Sequence, residues 1–157
     1  MTLLGYTPTN QDVINAIRNM AQRKKQIIHG ARSVNIQLPK TLRRKTKDYD
    51  VYTKKPEQSA RELAEQLNKK FGKDKFKVVK GVHKGTFKVK EGKETIADYT
   101  QVTKQPASKN IFGIRYTTKE YSKRKLQKIL RDESKSFRHD KDLDTLQRIK
   151  QGERIWD

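Results

Sequence analysis

The chain has 157 residues, and 38 lysines and arginines against 18 aspartates and glutamates leave a formal charge of +20. A surplus of this size draws polyanions, nucleic acid or nucleoside triphosphates toward the protein, and far exceeds what solubility alone requires. Only 32% of residues are hydrophobic, enough for a thin core, and the absence of cysteine excludes disulfides, thiolate zinc sites and thiol catalysis.

Thr9 and Asp12 stand at capping-box spacing before Val13, Ile17, Met20, Ala21 and Ile28, which predicts a first helix over about 10–28. Gly30 ends it, and ARSVNIQL at 31–38 reads as a strand with a ragged pattern. The run KTLRRKTK at 40–47 follows, with five basic residues in eight. DYDVYT at 48–53 alternates, placing Tyr49 and Val51 on one face of a strand and Asp48 and Asp50 on the other. Pro56 suits the first turn of a helix whose apolar residues are Ala60, Leu63, Ala64, Leu67 and Phe71, and Gly72 stops it.

Three strands are predicted next, KFKVVKG (75–81), GTFKVKEG (85–92) and KETIADYT (93–100), the last two joined as a hairpin at Gly92 and Lys93. Residues 101–110 read as a loop. Thr117 and Glu120 cap a helix through Leu126, Ile129 and Leu130, and a last helix near 137–150 carries Leu143, Leu146 and Ile149. The expected fold is α/β (α+β): a mixed sheet of about five strands flanked by helices. One domain over 1–157 is expected, its core at about 10–100 and a helical C-terminal extension at about 112–157. The opening MTLLGYTPTN has no signal-peptide pattern, and no stretch approaches the roughly 18 apolar residues of a membrane span. A soluble protein, not secreted and without membrane contact, is therefore expected.

Asp48 and Asp50, two residues apart on a strand, leave the same face, and carboxylates so close repel unless a cation lies between them. Asp98 sits on a separate apolar strand. Three such groups meeting at one sheet edge suit magnesium or manganese, which prefer oxygen ligands and serve phosphoryl and nucleotidyl transfer.

The succession HGARSVN, TKDYDVYT and TIADYT resembles the nucleotidyltransferase superfamily, the fold of DNA polymerase beta and of minimal nucleotidyltransferases. The resemblance implies that Gly30 forms the phosphate-side turn, and that Asp48, Asp50 and Asp98 hold metal and are catalytic. The position after Gly30 is Ala31, which lacks the hydroxyl expected against a triphosphate; Ser33 is the next hydroxyl along. FRHDKDLDTLQRI resembles a helix of stand-alone or viral relatives, and Arg138, Lys141 and Asp142 match its RxxKD arrangement. The resemblance implies magnesium or manganese as cofactor, a nucleoside triphosphate as substrate, and a cytoplasmic or virion-associated setting.

Among the remaining residues, Arg32 is a candidate phosphate ligand because guanidinium pairs bidentately with phosphate oxygens. Lys84, in a glycine-bounded turn, is a candidate for the same cleft. Ala31, Arg32, Ser33, Lys84 and Lys141 thus join Gly30 as expected nucleotide contacts. Arg43, Arg44, Lys45 and Lys47 are candidates for tracking a nucleic-acid backbone. Tyr6, Tyr49, Tyr52, Tyr99 and Tyr116 are candidate stacking surfaces, with sheet packing the duller reading for Tyr49 and Tyr52. His29, His83 and His139 lack metal-ligand spacing and read as hydrogen-bonding or surface residues. A basic nucleic-acid-binding or virion protein on a degenerate version of this fold, a metal-dependent nuclease and, less suited to so short a chain, a DxD glycosyltransferase stay open beside the transferase.

Overall fold

A computed structural model describes residues 9–156. Tyr6 lies outside the described residues. Helix α1 (Asn10–Arg23) opens on the expected capping box: the Thr9 side chain accepts from the Asp12 backbone, and the Asp12 side chain accepts from the Thr9 backbone. It ends earlier than periodicity predicts. Lys25 adopts a positive φ of 54°, and Ile27–His29 becomes strand β1, buried throughout. Three residues buried on both faces carry no alternation, so the strand is invisible to a period search.

Segment 31–38 is not a strand. The chain turns at Gly30 into helix α2 (Gly30–Ile36), which buries Ser33 and Val34. The ragged pattern there was a helix face too short to show its period. A 3-10 turn at Lys40–Leu42 leads through the basic run to strand β2 (Tyr49–Thr53). Helix α3 (Pro56–Phe71) has proline in its first turn and ends at Gly72, whose φ of 134° is open to glycine. Strands β3 (Phe76–Lys80), β4 (Thr86–Glu91) and β5 (Glu94–Gln101) follow as expected.

The segment read as a loop, 101–110, runs at its end into an unpredicted hairpin, β6 (Ser108–Ile111) and β7 (Ile114–Thr117). Phe112 and Gly113 turn it with φ of 51° and 86°, the two positive values that a tight two-residue turn needs. The next helix, α4 (Lys119–Leu130), is capped by Thr118 rather than Thr117, and the Thr118 side chain accepts from the Tyr121 backbone. A 3-10 turn at Glu133–Arg138 then runs into α5 (His139–Trp156).

The mixed sheet flanked by helices is present, with seven strands in the order β3-β4-β5-β2-β1-β7-β6 instead of about five. The pairs β2–β5 and β1–β7 are parallel and the others antiparallel. Helices α1 and α3 press Ile17, Met20, Leu63, Leu67 and Phe71 onto Val51, Val89, Ala97 and Tyr99 of one sheet face. Each large apolar side chain buried this way contributes roughly 1.5–3 kcal/mol. Tyr49, Tyr99 and Tyr116 are buried in this packing and offer no stacking surface. A second, small cluster of Val34, Leu38 and Ile149 ties α5 to α2. Among the described residues, no helix is long and apolar enough to cross a membrane.

Candidate active site

Strand register lines up one row of side chains across the middle of the sheet. Lys88 of β4 pairs with Asp98 of β5, Asp98 with Asp50 of β2, and Asp50 with His29 of β1. Residues directly opposite in neighbouring strands project from the same face. Asp48, one residue before β2, joins them. Carboxylate oxygens of Asp48, Asp50 and Asp98 lie within 4.8 Å of one another, so the three expected ligands do converge.

The electrostatics of this cluster are unfavourable by themselves. Burial, and then the charges of Asp48 and Asp98, push the Asp50 carboxyl up to about 7, while Lys125 opposes the shift. The Lys88 ammonium bonds the Asp98 carboxylate at 2.9 Å and supplies part of the missing positive charge. Oxygen donors at this spacing, half-buried and mutually repelling, suit a hard divalent cation.

The turn into α2 shapes the other wall. Gly30 has a φ of 70°, and a side chain there would collide with the Asp50 carboxylate. Ala31 follows Gly30 in the first turn of α2. Arg32 turns away: its guanidinium donates to the Lys47 and Asp48 carbonyls at 3.1 and 3.3 Å, and lies over the Tyr49 ring at 4.3 Å. It therefore holds the strand that carries Asp48. Ser33 is fully buried, and its hydroxyl bonds the Thr117 carbonyl and hydroxyl at 2.8 and 2.9 Å.

Other expected site residues are placed elsewhere. Lys84 borders a cleft on the α3 side with Glu57, Arg61 and Gln101. Lys141 is exposed on α5, and its carbonyl accepts from Arg44. Its neighbours Arg138 and Asp142 form an ion pair at 2.7 Å that leaves Asp142 buried. In the basic run, Lys47 pairs with Glu94 at 3.1 Å and Arg44 with Asp144 at 3.5 Å.

Sequence reasoning missed Lys88, Tyr121 and Lys125, and it named Tyr52 and His29 without placing them at this site. His29 is neither a surface nor a hydrogen-bonded residue. It is 8% exposed, its ring nitrogens have no partner among the described residues, and it stacks on Tyr52 with centroids 3.6 Å apart. Burial, then the charge of Lys125, holds the imidazole well below its ordinary range, hence neutral. Tyr52 in turn meets the Tyr121 hydroxyl at 2.9 Å and the Lys125 ammonium at 3.2 Å, so α4 reaches the edge of the site. The alternation in KVKEG against TIADYT was the available signal for Lys88. Nothing local in the sequence pointed to the α4 residues.

A mixed sheet whose adjacent central strands bring together two acids from one and a third from its parallel neighbour, beside a glycine turn, has the nucleotidyltransferase fold. Residues 15–133 match the family described as poly(A) polymerase catalytic subunit. The chain belongs to that family. Among solved structures, it is similar to the Megavirus polyadenylate synthase, with a TM-score of 0.76 and 19% identity over 92% of this chain. It spans 31% of that protein's length. An antigenic nucleotidyltransferase-like protein from Paracoccidioides brasiliensis aligns over 88% of this chain and 75% of its own, at 16% identity and a TM-score of 0.49. No curated protein sequence matches the chain.

Proposed function

We propose that the protein transfers a nucleoside monophosphate from a triphosphate to a hydroxyl at the end of an RNA strand, with adenylate the nucleotide that its family points to. The observation that carries this reading is the convergence of Asp48, Asp50 and Asp98. These three would hold magnesium or manganese, which when bound supplies charge neutralisation at the phosphates and activation of the attacking oxygen. The acceptor oxygen attacks the α phosphorus, and the bond to the bridging oxygen of the β phosphate breaks. Pyrophosphate leaves with that electron pair. Asp98, ion-paired to Lys88, is positioned to assist removal of the acceptor's proton, and Gly30 leaves room for the phosphates beside Asp50.

We also take the chain as one nucleotidyltransferase-like unit. The pairing of β7 with β1 supports this, since it ties the segment before α4 into the central sheet. Ala31 remains a proposed nucleotide contact and Arg32 would act through the strand it holds, whereas Lys84 and Lys141 lie outside the carboxylate cluster. Ser33, whose hydroxyl is engaged by Thr117, would act by bracing the turn.

Purified protein, labelled ATP, an RNA primer and magnesium or manganese test the proposal. Primer extension that disappears in Asp50→Ala supports it. Absence of transfer with every nucleotide and metal, with RNA binding intact, would sink it in favour of a basic binding protein. The engagement of the Ser33 hydroxyl inside the fold is the one feature that favours that second reading.

A further inference from the structure

A second concave site is floored by Tyr49 and Tyr116, on the sheet face opposite Asp50. It is a cavity of about 310 Å³, lined by Arg18 of α1, Arg32 and Asn35 of α2, and Arg43, Arg44 and Lys45 of the basic run, with Tyr49 and Tyr116 beneath. Its lining includes five cations and no carboxylate. Arg44 is partly neutralised by Asp144. Arg18, Arg32, Arg43 and Lys45 have no ion-pair partner among the described residues. Grouping that many unpaired cations around one hollow costs stability through mutual repulsion, which a bound anion removes.

The hollow is held open by specific contacts. The Asn35 amide donates to the Arg44 carbonyl at 2.7 Å and its oxygen accepts from the Arg44 backbone at 3.0 Å, pinning the basic run to α2. The Arg43 Nε donates to the Leu38 carbonyl at 2.9 Å, and the Arg32 guanidinium lies over the Tyr49 ring. These contacts occupy backbone carbonyls and ring faces and leave guanidinium N–H groups for an anion with several oxygens. Planar guanidinium forks match phosphate geometry.

We propose that this cavity is a phosphate-binding site, separate from the carboxylate cluster, that seats the backbone of a single-stranded nucleic acid. Arg43 and Lys45 are exposed at its lip, so a strand can enter and leave rather than be enclosed. The buried Tyr49 and Tyr116 rings offer no face to a base, which fits backbone contact without sequence readout. Through Arg32 and the Asp48 carbonyl, the cavity adjoins the strand that carries the aspartates. The site stands whether or not those carboxylates perform transfer.

The test is binding of a fluorescent single-stranded oligonucleotide to the full chain, followed by anisotropy over a salt series. Arg18→Gln with Lys45→Ala removes two charges from the cavity; Lys69→Ala with Lys73→Ala removes two exposed charges elsewhere. The cavity pair is expected to weaken binding by about tenfold or more and to lower the salt slope by about two, with the control pair changing affinity much less. Lys45→Ala alone, at an exposed position, gives a threefold or greater loss if Arg18→Gln disturbs folding. Asp50→Ala should bind as the wild type does, which separates this result from any failure of transfer. Equal losses in both pairs would overturn the proposal in favour of diffuse attraction. Tripolyphosphate that binds one-to-one in the cavity, with strand affinity unchanged in the variants, would overturn it in favour of a free oligophosphate.

Discussion

The Asp50 carboxylate lies where a side chain on Gly30 would have to be. The positive φ of the turn and the closeness of the acid are one constraint: the backbone comes near enough to Asp50 only because no Cβ intervenes. Gly30→Ala should therefore cost both ways. It is expected to destabilise the fold by about 1–3 kcal/mol and to abolish transfer. Urea unfolding and primer extension check the two losses; a variant with wild-type stability and rate would contradict the role of the turn.

Asp50 makes a second prediction, about pH. Its folded-state value, raised to about 7 from 3.8, means that the folded protein keeps a proton the unfolded chain has already released. The contribution is thus fully present below about 4 and lost as pH rises through about 7. Without divalent metal, the melting temperature should fall across that window. Asp50→Asn should remove this part of the fall and be the more stable protein above pH 7, by about 1–3 kcal/mol. Identical pH profiles for wild type and variant would refute the charge crowding.

Lys88 competes with a metal ion for Asp98. Lys88→Met should leave the three carboxylates more repulsive, lower metal-free stability by about 1 kcal/mol, and tighten manganese binding several-fold. Calorimetric titration with manganese measures this directly. Weaker metal binding in the variant would mean that the ammonium assists the ion rather than displacing it.

His29 is buried with polar atoms that find no partner, an arrangement costing roughly 1–3 kcal/mol. His29→Phe keeps the ring stacked on Tyr52 and removes the unpaired nitrogens. The expected result is a higher melting temperature with transfer retained. Loss of transfer in a stably folded variant would show that an imidazole nitrogen meets the substrate.

The parts of this fold legible in the sequence were those with a full period or a cap. The Thr9–Asp12 box, the Ala60–Phe71 stripe and the alternation around Asp50 and Asp98 each stated their element. The carboxylate cluster followed from them, because alternation fixed the face and only the pairing of β2 with β5 was left open. Short buried pieces were not legible. Ile27–His29 is buried on both faces, α2 is too brief to show a helical period, and β6 and β7 are only four residues each, too short for alternation to stand out. Lys88 and the Tyr52–Tyr121–Lys125 group depend on cross-strand register and on where α4 docks. Both are tertiary facts that local patterns do not carry.

Diffraction from crystals soaked with manganese and a non-hydrolysable triphosphate tests the central claim most directly. Anomalous density is predicted between Asp48, Asp50 and Asp98, at about 2.0–2.3 Å from their oxygens and in contact with the phosphates. A triphosphate bound elsewhere, with no metal density at the three aspartates, would contradict it.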